Sequence, residues 1–305
     1  MKEIKNVIIC GLGAVGSIYA EKIENCHCAD LRVLVDKQRL ERYTQNPIIM
    51  NGKPLNFNYI LPDANDFKAD LIIIATKFDG LNDAIKNLEN FVKDDTIILS
   101  LLNGVISEEI IAEVYGWDKL LLSYFMCPSA VRNGRSITQD GRGKIVFGAK
   151  NSENSHKQNL VKEFFDKVGI YYEVPEDMEY ALWLKYMLNV STNQPTAVLN
   201  LKFGEMFNNN KFMEYNYGLM QEVQAIAKAK GIKNVETMIP KAQMALKNMN
   251  SDGMTSMLQD VLAKRKTEVE IFAGTMIKLG EKYNISVPYN KLMKEKIELI
   301  EANYQ

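Results

Sequence analysis

The stretch from Leu182 to Asn193, "LWLKYMLNVSTN", is apolar except for a repeat of Lys185, Asn189 and Asn193 at every fourth residue. On a helix that spacing puts one amine and two amides on a single face. An amine in a partly apolar setting has its pKa lowered toward neutrality and becomes a usable proton donor. The pattern alone leaves two readings open. The stripe is either the solvated face of an amphipathic helix or a site with Lys185 as acid and the two amides beside it. A second polar insertion, "TSMLQDVLAKRKTEVEIFAG", carries Ser256 and Glu268 on what read as adjoining helices. A serine there suits a substrate carboxylate or carbonyl, and a glutamate suits orienting a lysine or binding hydroxyls. Alone, each also reads as a helix start and a surface acid. Histidine, the commonest acid, is scarce: His27 trails the first helix and His156 sits in the polar run "NSENSHKQN". Acid chemistry through histidine and Ser-His nucleophilic catalysis are therefore both disfavoured.

An acid needs a reaction, and the N-terminus supplies one. "IICGLGAVGSIYA" sets Gly11, Gly13 and Gly16 in G-x-G-x-x-G spacing between an apolar strand and a helix. Gly11 allows the tight turn, Gly13 lets backbone approach a pyrophosphate, and Gly16 lets helix and strand pack closely. With Leu12, Ala14 and Val15 these residues form the expected cradle, whose helix-start N–H groups face the anion. The second strand ends in Asp36, where a carboxylate accepts hydrogen bonds from the adenosine ribose and repels a 2′-phosphate. That favours NADH; Lys37 and Arg39 follow at once and suit a phosphate, and a helix cap is the plainer use of Asp36. Two further strands end in Thr76-Lys77 and Asn103-Gly104, where open α/β sheets bind ligands.

The elements that must position these residues change character along the chain. Apolar runs at Asn6–Cys10, Leu31–Val35, Asp70–Ala75, Thr96–Leu101 and Leu120–Phe125 alternate with helical patterns at Val15–Ile23, Gly80–Val92 and Ser107–Val114. This predicts a doubly wound parallel sheet. "IIMNGKPLNFNYI" interrupts it with an Asn51-Gly52 hairpin turn, and short strands follow near Ser136–Thr138, Lys144–Phe147 and Tyr171–Val174. After Pro175 the chain reads as helices at Asp177–Thr192, Lys211–Lys230, Glu236–Met249, Thr255–Lys264 and Thr267–Tyr283, with one more after Pro288. The expected domains are residues 1–174 and 175–305.

The 305 residues exceed one comfortable core, and 37 basic against 38 acidic residues give a net charge of -1. No basic field calls for nucleic acid, no run suits a membrane span, and no signal peptide precedes the first strand. A cytoplasmic protein is expected, and four cysteines fit a reducing compartment. Cys10 and Cys127 lie in apolar runs and read as core. "NCHCAD" lacks a second cluster to complete a metal site, so no metal is expected and Cys26 and Cys28 read as small loop residues.

Together "GLGAVG", "ATK", "LLNGV", "LWLKYMLNVSTNQPTAV", "SMLQDVLAKRKTEVE" and "VPYN" resemble the ketopantoate reductase family over nearly the whole chain. The resemblance implies a Rossmann-type domain, then an all-helical domain, with the active site in the cleft between. It implies NADPH-dependent reduction of ketopantoate to pantoate, on the route to pantothenate and coenzyme A. Carried over by motif, Lys185 is the catalytic acid and Glu268 its partner at the substrate. Lys77 and Asn103 contact cofactor and substrate, and Asn189, Asn193 and Ser256 contact substrate. Three features depart from the family pattern. Asp36 stands where a basic residue is common, Gln194 intervenes between Asn193 and Pro195, and Phe203 and Gly253 stand where an asparagine is expected. The rival readings are a reductase of another 2-keto acid and a non-catalytic nucleotide sensor. A homodimer is compatible with either, and the sequence leaves oligomeric state open.

Overall fold

Strands made of unbroken Val, Ile and Leu runs must be covered on both faces, and the first half of the chain meets that demand. The computed structural model describes residues 3–126 and 129–304. The first unit, Met1–Met178, runs β1 (Asn6–Cys10), α1 (Ala14–Cys26), β2 (Asp30–Leu34), α2 (Lys37–Gln45), β3 (Ile48–Met50), β4 (Lys53–Leu55), β5 (Tyr59–Ile60), β6 (Leu71–Ile74), α3 (Leu81–Asn87), β7 (Ile97–Ser100), α4 (Ser107–Tyr115), β8 (Leu120–Met126), β9 (Ser129–Asn133), β10 (Ser136–Asp140), β11 (Lys144–Gly148), α5 (Ser155–Val168) and β12 (Tyr172–Glu173).

Among the described residues the main sheet has eight strands in the order β12-β11-β8-β7-β6-β1-β2-β5. The pairings from β5 through to β8 are parallel; β11 joins β8 antiparallel. Val7, Ile9, Leu71, Ile73, Ile97 and Leu99 face Ile18 and Ile23 of α1 and Phe164 and Phe165 of α5. Ile8, Cys10, Ile72, Ile74 and Ile98 face Leu81 and Ile85 of α3 and Ile111 of α4. The chain leaves β1 for β2 on one side and later returns to β6 on the other, which makes a topological switch point at β1. The register pairs Cys10 with Leu34 and with Ile74, and Ile74 with Ser100. Gly11, Asp36, Lys77 and Asn103 therefore all follow strands that end at one edge.

A second sheet, β4-β3-β10-β9, holds the interruption. Its β3–β4 hairpin turns at Asn51 and Gly52, both with positive φ (47° and 84°), as the Asn-Gly pair predicts. Strand β9 was not foreseen, nor was α2, whose only buried residue is Tyr43. Cys26 and Cys28, expected as small loop residues, instead form a disulfide; His27 between them adopts a left-handed φ of 51° and brings their Cα atoms to 5.2 Å. Cys10 is a buried free thiol, and Cys127 lies outside the described residues.

The second unit, Glu179–Gln305, is helical. Its elements are α6 (Met178–Leu199), α7 (Asn210–Lys230), α8 (Met238–Lys247), α9 (Ser256–Leu262), α10 (Thr275–Tyr283) and α11 (Pro288–Glu301), with a π turn at Glu270–Gly274 leading into α10. Helix α6 outruns its expected end at Thr192 and carries Pro195 inside. Proline has no N–H for the carbonyl four residues back. Here that carbonyl, Ser191, accepts instead from the Asn216 side chain of α7 at 2.8 Å. Thr196 Oγ1 donates to Thr192 O at 2.7 Å, and Gln194 Nε2 to Val190 O at 3.0 Å and to Asn290 Oδ1 at 3.2 Å. Gln194 is thus a buried brace between α6 and α11, while Asn216 supplies the donor that Pro195 lacks. Among the described residues no helix is long and apolar enough to cross a membrane.

Candidate active site

The glycine turn joins β1 to α1, and its geometry separates three roles. Gly11 has φ 102°, and a Cβ there would lie 2.7 Å from the Ala75 carbonyl oxygen after β6. A Cβ on Gly16 would lie 1.8 Å from Gly11 O, so the helix can sit this close to the turn only without a side chain. At Gly13 the nearest atom to a Cβ would be 3.9 Å away, which leaves that face of the backbone open. Gly13 is the N-cap of α1, its carbonyl accepting from Ser17 N at 3.1 Å. No side chain caps the helix, and its first turn, from Ala14 and Val15, carries no acid. The Leu12 side chain is buried. Open backbone, uncapped N–H groups and no competing carboxylate fit a pyrophosphate.

At the end of β2, Asp36 caps α2. Its Oδ1 accepts from Arg39 N at 2.6 Å, and its Oδ2 pairs with Arg39 Nη1 at 2.7 Å. Both oxygens already have protein partners, so the capping use of Asp36 is realised and Arg39 is drawn to the same strand end. Lys77 is exposed and precedes a short 3₁₀ turn at Phe78–Gly80, while the hydroxyl of Thr76 beside it is buried without a partner. Asn103 lies in the turn between β7 and α4, where Gly104 has φ 106°.

Under that turn lies a carboxyl that sequence reasoning missed. Glu108 is buried. Its Oε2 accepts from Ser107 Oγ at 2.8 Å and its Oε1 from Ser123 N at 3.3 Å. Ser100 Oγ donates to Ser107 Oγ, and Ser123 Oγ to Ser100 O, both at 2.8 Å. The ends of β7 and α4 and the middle of β8 are stitched together around the residues 101–106. Burial pushes the Glu108 carboxyl up to about 7. In sequence it is one acid in "SEE", with nothing to mark it from Glu109.

In the second unit α6 carries the stripe as the spacing predicts. Lys185 is partly exposed at its surface, yet burial of its ammonium lowers its pKa to about 8. Asn189 and Asn193 are buried, and Asn193 Nδ2 donates to Asn189 O at 3.2 Å. Asn193 Oδ1 accepts from Ser256 Oγ at 3.2 Å and from Met257 N at 3.4 Å, so one amide docks the start of α9 on α6. Thr255 caps α9 and shares a 2.8 Å hydrogen bond with Thr196. Asn189, Asn193 and Ser256 thus form one connected group. Glu268 precedes the π turn, and its carbonyl accepts from Ile271 N at 3.1 Å. Tyr186, next to Lys185, donates to Ile271 O and Phe272 O at 3.1 and 3.0 Å, tying α6 to that turn. Among the described residues no group of three His, Cys, Asp or Glu could hold a metal.

These features define a nicotinamide-dependent oxidoreductase class, and comparison with known proteins gives the family. "Ketopantoate reductase PanE/ApbA" matches residues 7–152, and its C-terminal counterpart matches 177–301. The chain belongs to the ketopantoate reductase family, whose members reduce 2-keto acids with a nicotinamide cofactor. A 2-dehydropantoate 2-reductase of Pyrococcus horikoshii is 28% identical over 297 residues, covering 94% of each chain. The fold is similar to D-mandelate dehydrogenase bound to NADH and anilino(oxo)acetate, with TM-score 0.87, 20% identity and coverage of 98% and 99%. It is also similar to a dimeric ketopantoate reductase of Staphylococcus aureus, with TM-score 0.77, 20% identity and coverage of 98% and 100%.

Proposed function

We propose that the chain reduces ketopantoate to pantoate, the step the family name describes on the way to pantothenate. Lys185 carries this reading: a lysine with its pKa lowered to about 8, beside a buried amide pair, is an acid matched to neutral chemistry. The bound nicotinamide supplies the hydride. Lys185 gives its proton to the ketone oxygen as charge develops there, while Lys77 adds positive charge suited to the substrate carboxylate. Asn103, Asn189 and Ser256 hold substrate polar groups, with Asn193 fixing Ser256 in place, and Glu268 orients substrate or lysine. On the first unit, Gly11 to Gly16 hold the pyrophosphate and Asp36 the ribose. Because Arg39 already neutralises Asp36, NADH and NADPH both serve, with NADH competing well. A homodimer, the state named for the staphylococcal enzyme, is the assembly to test by sedimentation.

Phe203 supports a second reading. Its ring covers Gly253, where a Cβ would lie 2.9 Å from Phe203 Cδ2, and Phe203 N donates to Gly253 O at 3.0 Å. A ring cannot hydrogen-bond a substrate hydroxyl, which favours a 2-keto acid with an apolar branch. Oxidation of NADH and NADPH with ketopantoate and with simpler 2-keto acids decides between them. The expected result is the highest kcat/KM for ketopantoate, with kcat falling as pH rises above about 8 and Lys185 loses its proton. Tight dinucleotide binding with no turnover of any keto acid would leave the sensor reading standing instead.

A further inference from the structure

The second sheet has so far had no part in function, yet one of its side chains reaches the glycine turn. Arg132 on β9 donates through Nη1 to the Leu12 carbonyl and through Nε to Gly134 O at 2.9 Å. Gly134 sits in the β9–β10 hairpin turn with φ 58°, and β9 and β10 pack against α1. The planar guanidinium is therefore held at one end by its own hairpin and at the other by the turn, a two-point fit that a flexible ammonium does not reproduce.

The Leu12 carbonyl belongs to the peptide whose N–H is that of Gly13. In a trans peptide these two groups point in opposite directions. A cation fixed on the carbonyl aims the Gly13 N–H away from Arg132, on the residue whose open face fits the pyrophosphate. It also polarises that amide and strengthens it as a donor. We infer that Arg132 is a positioning residue for dinucleotide binding, acting through the Leu12–Gly13 peptide. The small sheet is then a buttress that delivers it.

This inference rests on the dinucleotide reading of the glycine turn, and the two fail differently. Binding of NADH, NADPH and ADP-ribose is titrated by calorimetry in wild type and in Arg132→Met, which keeps the aliphatic stem. Loss of a charge-assisted bond is expected to weaken all three ligands by about tenfold or more, with kcat at saturating cofactor unchanged. The keto-acid KM is also expected to hold, a split that general loosening of the fold would not give. Arg132→Lys should recover part of the affinity. If Arg132→Met does not fold, Arg132→Lys and Arg132→Gln replace it, and affinity should fall in the order wild type, Lys, Gln. Equal affinity in wild type and variants overturns the role of Arg132 alone, as does a matching loss of kcat. A wild type that binds no ADP-ribose overturns the dinucleotide reading with it. The affinity comparisons and the ADP-ribose control are read by calorimetry alone, without turnover of a keto acid.

Discussion

The glycine turn of the first unit and the α6 face of the second both present polar groups from apolar surroundings, by opposite means. In the turn the groups are backbone amides, and their aim depends on missing side chains: Gly11 and Gly16 leave no room for a Cβ. On α6 they are side chains that hold one another. Asn193 spends its oxygen on Ser256 and Met257, while among the described residues Lys185 has no ion pair and burial alone lowers its pKa. A backbone site is therefore broken by adding atoms, and a side-chain site by removing a function.

The largest effect should come from the second kind. Lys185→Ala is expected to lower kcat by roughly 10²- to 10⁴-fold, the usual worth of a positioned general acid. Dinucleotide affinity, carried by backbone in the other unit, should stay within twofold. Single-turnover rates and NADH titration measure the two, and near-normal turnover would remove Lys185 from the acid role. Gly16→Ala should do the reverse. Its Cβ meets Gly11 O at 1.8 Å, and forcing helix from strand costs about 3 kcal/mol. Nucleotide binding should be lost together with thermal stability, whereas Gly13→Ala, with 3.9 Å of room, should keep the stability and lose only the binding.

The same contrast explains what could be read from sequence. The glycine turn was legible because a local motif fixes it: strand, tight turn, helix. The stripe Lys185, Asn189, Asn193 was legible as periodicity, but its balance between solvent and site was not, since burial comes from helices distant in sequence. Glu108 and Arg132 were invisible for that reason. One is stitched to Ser123, fifteen residues on, and the other reaches Leu12, 120 residues back. The passage of α6 through Pro195 was misread because the compensating donor, Asn216, belongs to α7. Helix α2 was missed because only Tyr43 is buried, with Leu40 half-buried against the same core, too few residues to make an apolar period.

Glu108 sharpens the comparison from within the first unit, where a side chain braces a backbone turn. Its carboxyl ionises near 4.5 when unfolded and near 7 when folded. Below pH 4.5 both states are protonated and the group is neutral toward stability. Between pH 4.5 and 7 the unfolded state releases its proton first, so stability falls as pH rises and then levels off. The shift corresponds to about 3 kcal/mol. Glu108→Gln, whose oxygen can still accept from Ser123 N and whose amide can donate to Ser107, should remove that slope. Denaturant unfolding of both proteins from pH 4 to 8 checks it. Parallel stability curves would show that Glu108 is already charged in the fold.

The smallest effect falls where the two means meet, at Asp36, a side chain that serves a helix start and a neighbouring cation at once. Asparagine caps a helix as well as aspartate does, so Asp36→Asn should leave α2 in place and stability nearly unchanged. It removes the partner of Arg39 in a pair whose side chains are 58% and 44% exposed, and exposed pairs are worth at most about 1 kcal/mol. Released, Arg39 is free for a 2′-phosphate, and the carboxylate no longer repels one. The ratio of kcat/KM for NADPH over NADH should therefore rise by about fivefold, a little under the tenfold that 1.4 kcal/mol represents. An unchanged ratio would mean that the adenosine ribose lies beyond the reach of both residues, and that cofactor choice is made by another side chain at the sheet edge.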